Sequence, residues 1–173
     1  MQPLLILLRD ICLLRRGPQD LPYSPRLLVT ICVASVALQL FIAQILGIEG
    51  NTIVASLLGL GFNLGVLYVL LSLRGVRSRF VQTGSALLAC ALLFALLSLP
   101  IALLAGGKPP TPENVTPLQL LLGLVSLPIV IWKIVIDAHI LRHSLNLPFF
   151  AGLIIAIFWL IAELQMGGAL GAA

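Results

Sequence analysis

Gln119, Ser126, Lys133 and Asp137 sit within a run of apolar residues that gives them little help. On an ideal helix of about 3.6 residues per turn they fall within about 40° of one another, and Gly123 extends the same face. Lys133 and Asp137 are four apart, and because helical side chains lean toward the N-terminus, Asp137 can reach back to the Lys133 ammonium. Two readings stay open. The pair can sit near a membrane interface, where snorkelling lowers its cost and it orients the helix. Alternatively the face lines a polar cavity or partner groove, since intramembrane charges usually turn toward a bundle interior. Pro128 frees the carbonyl of Leu124 and predicts a kink beside this face. Asn63, in another apolar run, is placed to donate across helices near mid-depth. Glu163 is expected near the outer end, away from Lys133.

The other chemistry-bearing residues are sparse. His139 and His143 have the four-residue spacing of two metal ligands on one helical face, but no third ligand accompanies them, so no metal is assigned. The sequence offers no nucleophile with a base, no paired catalytic carboxylates and no phosphate-cradling glycine loop. The reading is therefore of a protein that is not an enzyme and has no cofactor. Cys12, Cys32 and Cys90 are isolated along the chain and are expected as free thiols packed like small apolar residues. Asn114-Val115-Thr116 fits a glycosylation acceptor, a pattern common by chance.

Five apolar runs must position these groups: Leu27 to Leu46, Thr52 to Leu73, Thr83 to Ala105, Leu118 to Leu141 and Leu147 to Met166. Each has the roughly 20 residues needed to cross a hydrocarbon core of about 30 Å. With 60% hydrophobic and 9% charged residues, against about 45–50% and about 25% in soluble domains, the bilayer must cover most of the surface. The predicted fold is an all-α, polytopic helical bundle of five spans (residues 27–173). Residues 1–26 precede it as an interfacial segment and linker. The fourth span bears its charges because its fifteen Leu, Ile and Val residues supply on the order of −5 to −9 kcal/mol, against roughly 5 to 7 for two central charges.

Basic residues alternate between loops. Arg9, Arg15, Arg16 and Arg26 precede span 1, Arg74, Arg77 and Arg79 join spans 2 and 3, and Arg142 joins spans 4 and 5. The opposite side carries Lys108, and the loop between spans 1 and 2 carries only Glu49. This pattern predicts a cytoplasmic N-terminus and an external tail, Gly167 to Ala173. It also accounts for a pI near 9.4 without a nucleic-acid partner. No basic segment precedes the short apolar stretch Leu4 to Leu8, so no cleavable signal peptide is expected and span 1 is read as an uncleaved anchor.

Leu4 to Arg16 reads as a short helix lying in the interface, its apolar side chains in lipid and its arginines among phosphates. The proline-rich stretch from Gly17 to Pro25 then reads as a surface linker, with Tyr23 as an interfacial anchor. Stripes of small residues mark helix-packing faces: Gly84, Ala91, Ala95, Ser98, Ala102 and Ala105 in span 3, and Thr52, Ser56, Gly59 and Asn63 in span 2. Gly61 and Gly65 form a second small pair roughly opposite, which places span 2 at the bundle centre.

At Asp20-Leu21-Pro22-Tyr23-Ser24-Pro25, before span 1, the sequence resembles the Asp-Leu-Tyr-Gly-Pro signature of the Ypt/Rab-interacting (YIP) membrane proteins. Pro22 is additional and Ser24 replaces the glycine. Trp132, followed by a short polar turn and Ala151, also resembles the family's small bacterial members. The resemblance implies five spans, a cytoplasmic N-terminus, an external C-terminus and no catalytic residues. It further implies a scaffold or adaptor whose candidate partner linker is Asp20, Leu21, Tyr23 and Pro25. The eukaryotic members carry a longer cytoplasmic arm than residues 1–26 are expected to form, and GTPase binding is not carried over.

Two functions are thus expected from the sequence. One is a non-enzymatic adaptor presenting a basic surface to lipid, to a membrane or cytoplasmic protein, or to a second copy of itself. The other is a small transporter or channel subunit using Gln119, Ser126, Lys133 and Asp137, with Asn63, as a polar route.

Overall fold

Helix starts follow local capping chemistry, which moves several span boundaries by a few residues. The computed structural model describes residues 2–48, 50–106 and 116–171; Glu49, Lys108, Asn114 and the last two residues of the tail lie outside the described residues. Among the described residues six α-helices form: α1 (Gln2–Cys12), α2 (Pro25–Leu46), α3 (Thr52–Leu73), α4 (Phe80–Leu104), α5 (Pro117–Leu145) and α6 (Phe149–Gly171). The Ser24 hydroxyl accepts from the Leu27 amide with Pro25 in the first turn, so α2 begins two residues before the apolar run. Asn51 caps α3 by accepting from the Val54 amide. Thr116 and Gln119 form a reciprocal capping box at the start of α5.

Five of these helices, α2 to α6, have the length and apolarity to cross a membrane, which makes the chain an integral membrane protein with an all-helical bundle. Their outward faces carry large apolar side chains such as Leu73, Phe150 and Phe158, the surface that lipid tails cover. The helix of α5 continues through Pro128.

Gly47 and Asn146 end α2 and α5 in the left-handed conformation, with φ of 62° and 53°. The turn after Asn146 is short, so α5 and α6 form a tight antiparallel hairpin. Gly152 sets its spacing: a Cβ there would meet the Ala138 carbonyl oxygen at 2.7 Å and the Arg142 Cβ at 3.2 Å. Only glycine lets the two backbones approach this closely.

The N-terminal helix differs from its sequence reading in end point and in surroundings. It stops at Cys12, where Leu14 turns left-handed with φ of 60° and the Arg15 amide returns to the Asp10 carbonyl across 2.8 Å. Its apolar face packs on protein: Ile11 is fully buried, and Leu4, Leu7, Leu8 and Cys12 contact a cluster containing Ala86, Cys90, Phe94, Ile136 and Ile140. Leu5 and Ile6 face outward. Apolar burial against α4 and α5 therefore places α1 along the bundle wall, with one face left for lipid.

Three side chains of the bundle, Trp132, Gln82 and His139, fasten the chain between Cys12 and Leu21. Trp132 Nε1 donates to the Cys12 carbonyl at 3.1 Å, and Gln82 Nε2 donates to the Leu21 carbonyl at 2.6 Å. His139 Nε2 lies 3.0 Å from the Arg16 carbonyl oxygen. His139 is thus a buried tether.

Candidate functional site

Small residues on facing helices leave space that larger side chains would fill. Gly59, Gly84, Ala91, Ala95 and Ala156 all border a cavity of about 310 Å³ with walls from all five spanning helices. Two of the stripes read as packing faces in the sequence therefore also create volume. Gly61 and Gly65 are different: a Cβ at either would meet nothing within 4 Å. Among the described residues, that face of α3 has no helix against it.

The cavity wall carries a compact polar group. From α5 come Lys133 and Asp137, whose Nζ and Oδ2 pair at 2.6 Å. From α3 comes Asn63, whose Nδ2 donates to the Gly59 carbonyl at 2.9 Å. From α6 comes Trp159, whose Nε1 donates to Asn63 Oδ1 at 2.7 Å, and one turn further on, Glu163. Ser35 and Gln39 of α2 complete the polar wall, the Ser35 hydroxyl being used by its own helix at the Ile31 carbonyl.

Glu163 is the residue the sequence reading misplaced. Its expected position near the outer end came from counting toward the end of the apolar run, whereas depth in a hairpin is measured from the turn. Lys133 lies twelve residues before Leu145, about 18 Å along α5, and Glu163 lies fourteen residues after Phe149, about 21 Å along α6. The two are therefore level, and the Glu163 carboxylate is near enough to feel both Lys133 and Asp137. The sum of residue numbers across a short antiparallel turn would have revealed this, as it would have placed Trp159 beside Asp137.

The predicted polar face of α5 divides. Lys133 and Asp137 reach the cavity together with Asn63. Gln119 is used at the helix start, where its side chain accepts from the Thr116 amide at 3.0 Å. Ser126 donates to the Gly123 carbonyl at 2.7 Å, and neither Gln119 nor Ser126 borders the cavity.

Within the candidate partner linker Leu21 is buried, while Asp20, Tyr23 and Pro25 are exposed. Leu21 is 2% exposed, and Asp20 accepts from the Gly17 amide at 3.1 Å in a short 3₁₀ turn, Pro18–Asp20. Pro25 opens α2. Tyr23 projects outward, 65% exposed.

Two arginines of the basic loop between α3 and α4 reach the end of α5. Arg79 donates to the His143 and Ser144 carbonyls, each at 3.0 Å, and to Asn146 Oδ1 at 2.9 Å. Arg74 Nε reaches the Leu145 carbonyl at 3.3 Å. These two arginines close the C-terminal end of α5, whose last carbonyls and dipole favour a cation.

Cys12 and Cys90, isolated in sequence, are neighbours in space with their sulfurs 3.5 Å apart, both as free thiols. Comparison with known proteins places no relative beside this arrangement: no family model, curated protein or solved structure matches the chain.

Proposed function

We propose that this protein is a membrane-embedded solute-binding subunit of a transport system, with the cavity between α2 and α6 as its binding site. The observation that carries this reading is the convergence of Lys133, Asp137, Asn63, Trp159 and Glu163 from three helices on one cavity. Ionisable groups are costly inside a bilayer and characteristically line substrate or ion routes. The volume is at the lower end of small-molecule sites, so the solute is small. Five spans are few for a complete carrier, and alternating access would need a second copy or a larger partner.

Cysteine accessibility tests this. With the native cysteines replaced by serine, Gly59→Cys and Ala95→Cys place thiols on the cavity wall, and Gly61→Cys places one on the uncovered face of α3. A water-soluble thiosulfonate should modify the first two faster than the third. Complete protection of both cavity positions would overturn the reading.

A second reading, a YIP-like adaptor in a bacterial inner membrane with a cytoplasmic N-terminus and external C-terminus, is favoured by one observation. Arg15, Arg16, Arg26 and Arg77 remain exposed together with Tyr23. Burial of Leu21 and the contacts of Arg79 with the end of α5 take those two residues out of such a surface. Reporter fusions at the C-terminus test the orientation: a cytoplasmic signal would remove it. Loss of partner capture on Tyr23→Ala would support the adaptor reading, and unchanged capture would sink it.

A further inference from the structure

We propose that the cavity takes a small organic monocation of the alkylammonium class, with Glu163 as its counter-ion, and that the cation enters in exchange for a proton on that carboxyl. The inference rests on the solute-binding reading above and specifies its ligand.

The argument is a charge count over the whole cavity wall. Titratable groups reach it from α5 (Lys133, Asp137) and α6 (Glu163), while the described residues of α2, α3 and α4 contribute none. Lys133 and Asp137 neutralise each other at 2.6 Å. Glu163 has no opposite charge within 4 Å among the described residues, and the nearby pair acts on it with opposite signs that partly cancel. One carboxylate is therefore left uncompensated. Inside a bilayer an unpaired charge is expensive enough that it is met by a proton or by a cation.

The neutral groups restrict the ligand further. Asn63 is occupied at both ends of its amide, by Trp159 and by the Gly59 carbonyl, and Ser35 is bonded to its own helix. An anion would meet a net negative wall. A zwitterion would need the Lys133 ammonium for its carboxylate, and Asp137 already holds it. A cation needs only Glu163, and the indole of Trp159 lies on the same wall for its charge or its apolar body. About 310 Å³ is room for roughly ten waters at about 30 Å³ each, which suits an amine of a few carbons.

Because the chain has two tryptophans, Trp132→Phe leaves Trp159 as the sole indole. The Trp132→Phe protein in lipid nanodiscs is titrated with propylammonium, propanol, propionate and β-alanine while its emission is followed. Saturable change with propylammonium is expected, weakening at least tenfold in Glu163→Gln and weakening as pH falls and protons compete for the carboxyl. It should persist in Gly61→Ala, on the uncovered face of α3, which leaves the cavity wall intact. Tighter saturation by propionate or β-alanine, or a propylammonium affinity indifferent to both Glu163→Gln and pH, would overturn the cation assignment while leaving a solute site. Saturation by none of the four would count against the site itself. If Glu163→Gln does not insert, the pH series on the parent protein decides between these outcomes.

Discussion

Trp159 donates its indole N–H to the Asn63 side-chain oxygen across 2.7 Å, joining α6 to α3 beside the Lys133–Asp137 pair. Asn63→Leu should cost about 0.5–2 kcal/mol, the range of interhelical hydrogen bonds in membranes. In the Trp132→Phe background it should also shift Trp159 emission, because the indole loses its acceptor. Unchanged emission and unfolding midpoint would mean the bond is not formed in lipid.

The Lys133–Asp137 pair should show strong non-additivity. Lys133→Met leaves the Asp137 and Glu163 carboxylates with no cation and should destabilise by about 3–5 kcal/mol. After Asp137→Leu the Lys133 ammonium still faces Glu163, so that loss and the loss in the double replacement should be milder. A double-mutant cycle on unfolding in mixed micelles measures the coupling. Additive losses would place both charges in water.

Gly152→Ala should separate α5 from α6, because the added methyl carbon meets a backbone carbonyl oxygen at 2.7 Å that has no side-chain freedom to yield. A loss of about 1–3 kcal/mol is expected from overpacking. Gly61→Ala, with nothing within 4 Å, is the control and should leave the unfolding midpoint unchanged or raise it through helix propensity.

Mild oxidation with copper phenanthroline should join Cys12 to Cys90, whose sulfurs stand 3.5 Å apart, and spare Cys32. After oxidation and denaturation, maleimide-polyethylene glycol should add once per chain where the reduced protein accepts three. Three additions after oxidation would show that α1 does not rest on α4 in the membrane.

Arg79→Ala should loosen the C-terminal end of α5, since one guanidinium nitrogen serves two backbone carbonyls and the Asn146 side chain. A cost of about 1–3 kcal/mol is expected. Hydrogen exchange at the last turn of α5 should rise with it; exchange confined to α4 would instead assign Arg79 to its own helix.

Much of the architecture was legible along the chain because spanning a bilayer is a sum over about 20 consecutive residues. Thr52 to Leu73 is a helix with the same limits in sequence and structure, and the other spans shift where Ser24, Thr116 and Asn146 add capping turns. The (i, i+4) reach of Asp137 to Lys133 was equally readable, being local to one helix. Helix α1 was harder: its apolar face has the same pattern whether it meets lipid or protein, and only the grooves of α4 and α5 decide.

The sequence by itself determined that the chain spans the membrane five times and that Lys133 and Asp137 can pair, because hydropathy and helical spacing are properties of neighbouring residues. Tertiary structure alone decided that Gln119 and Ser126 stand apart from the cavity and that Cys12 meets Cys90. Relative depth and contact depend on where each helix starts and how closely it approaches its neighbour. A left-handed residue at Asn146 and a missing side chain at Gly152 set both for the α5–α6 hairpin.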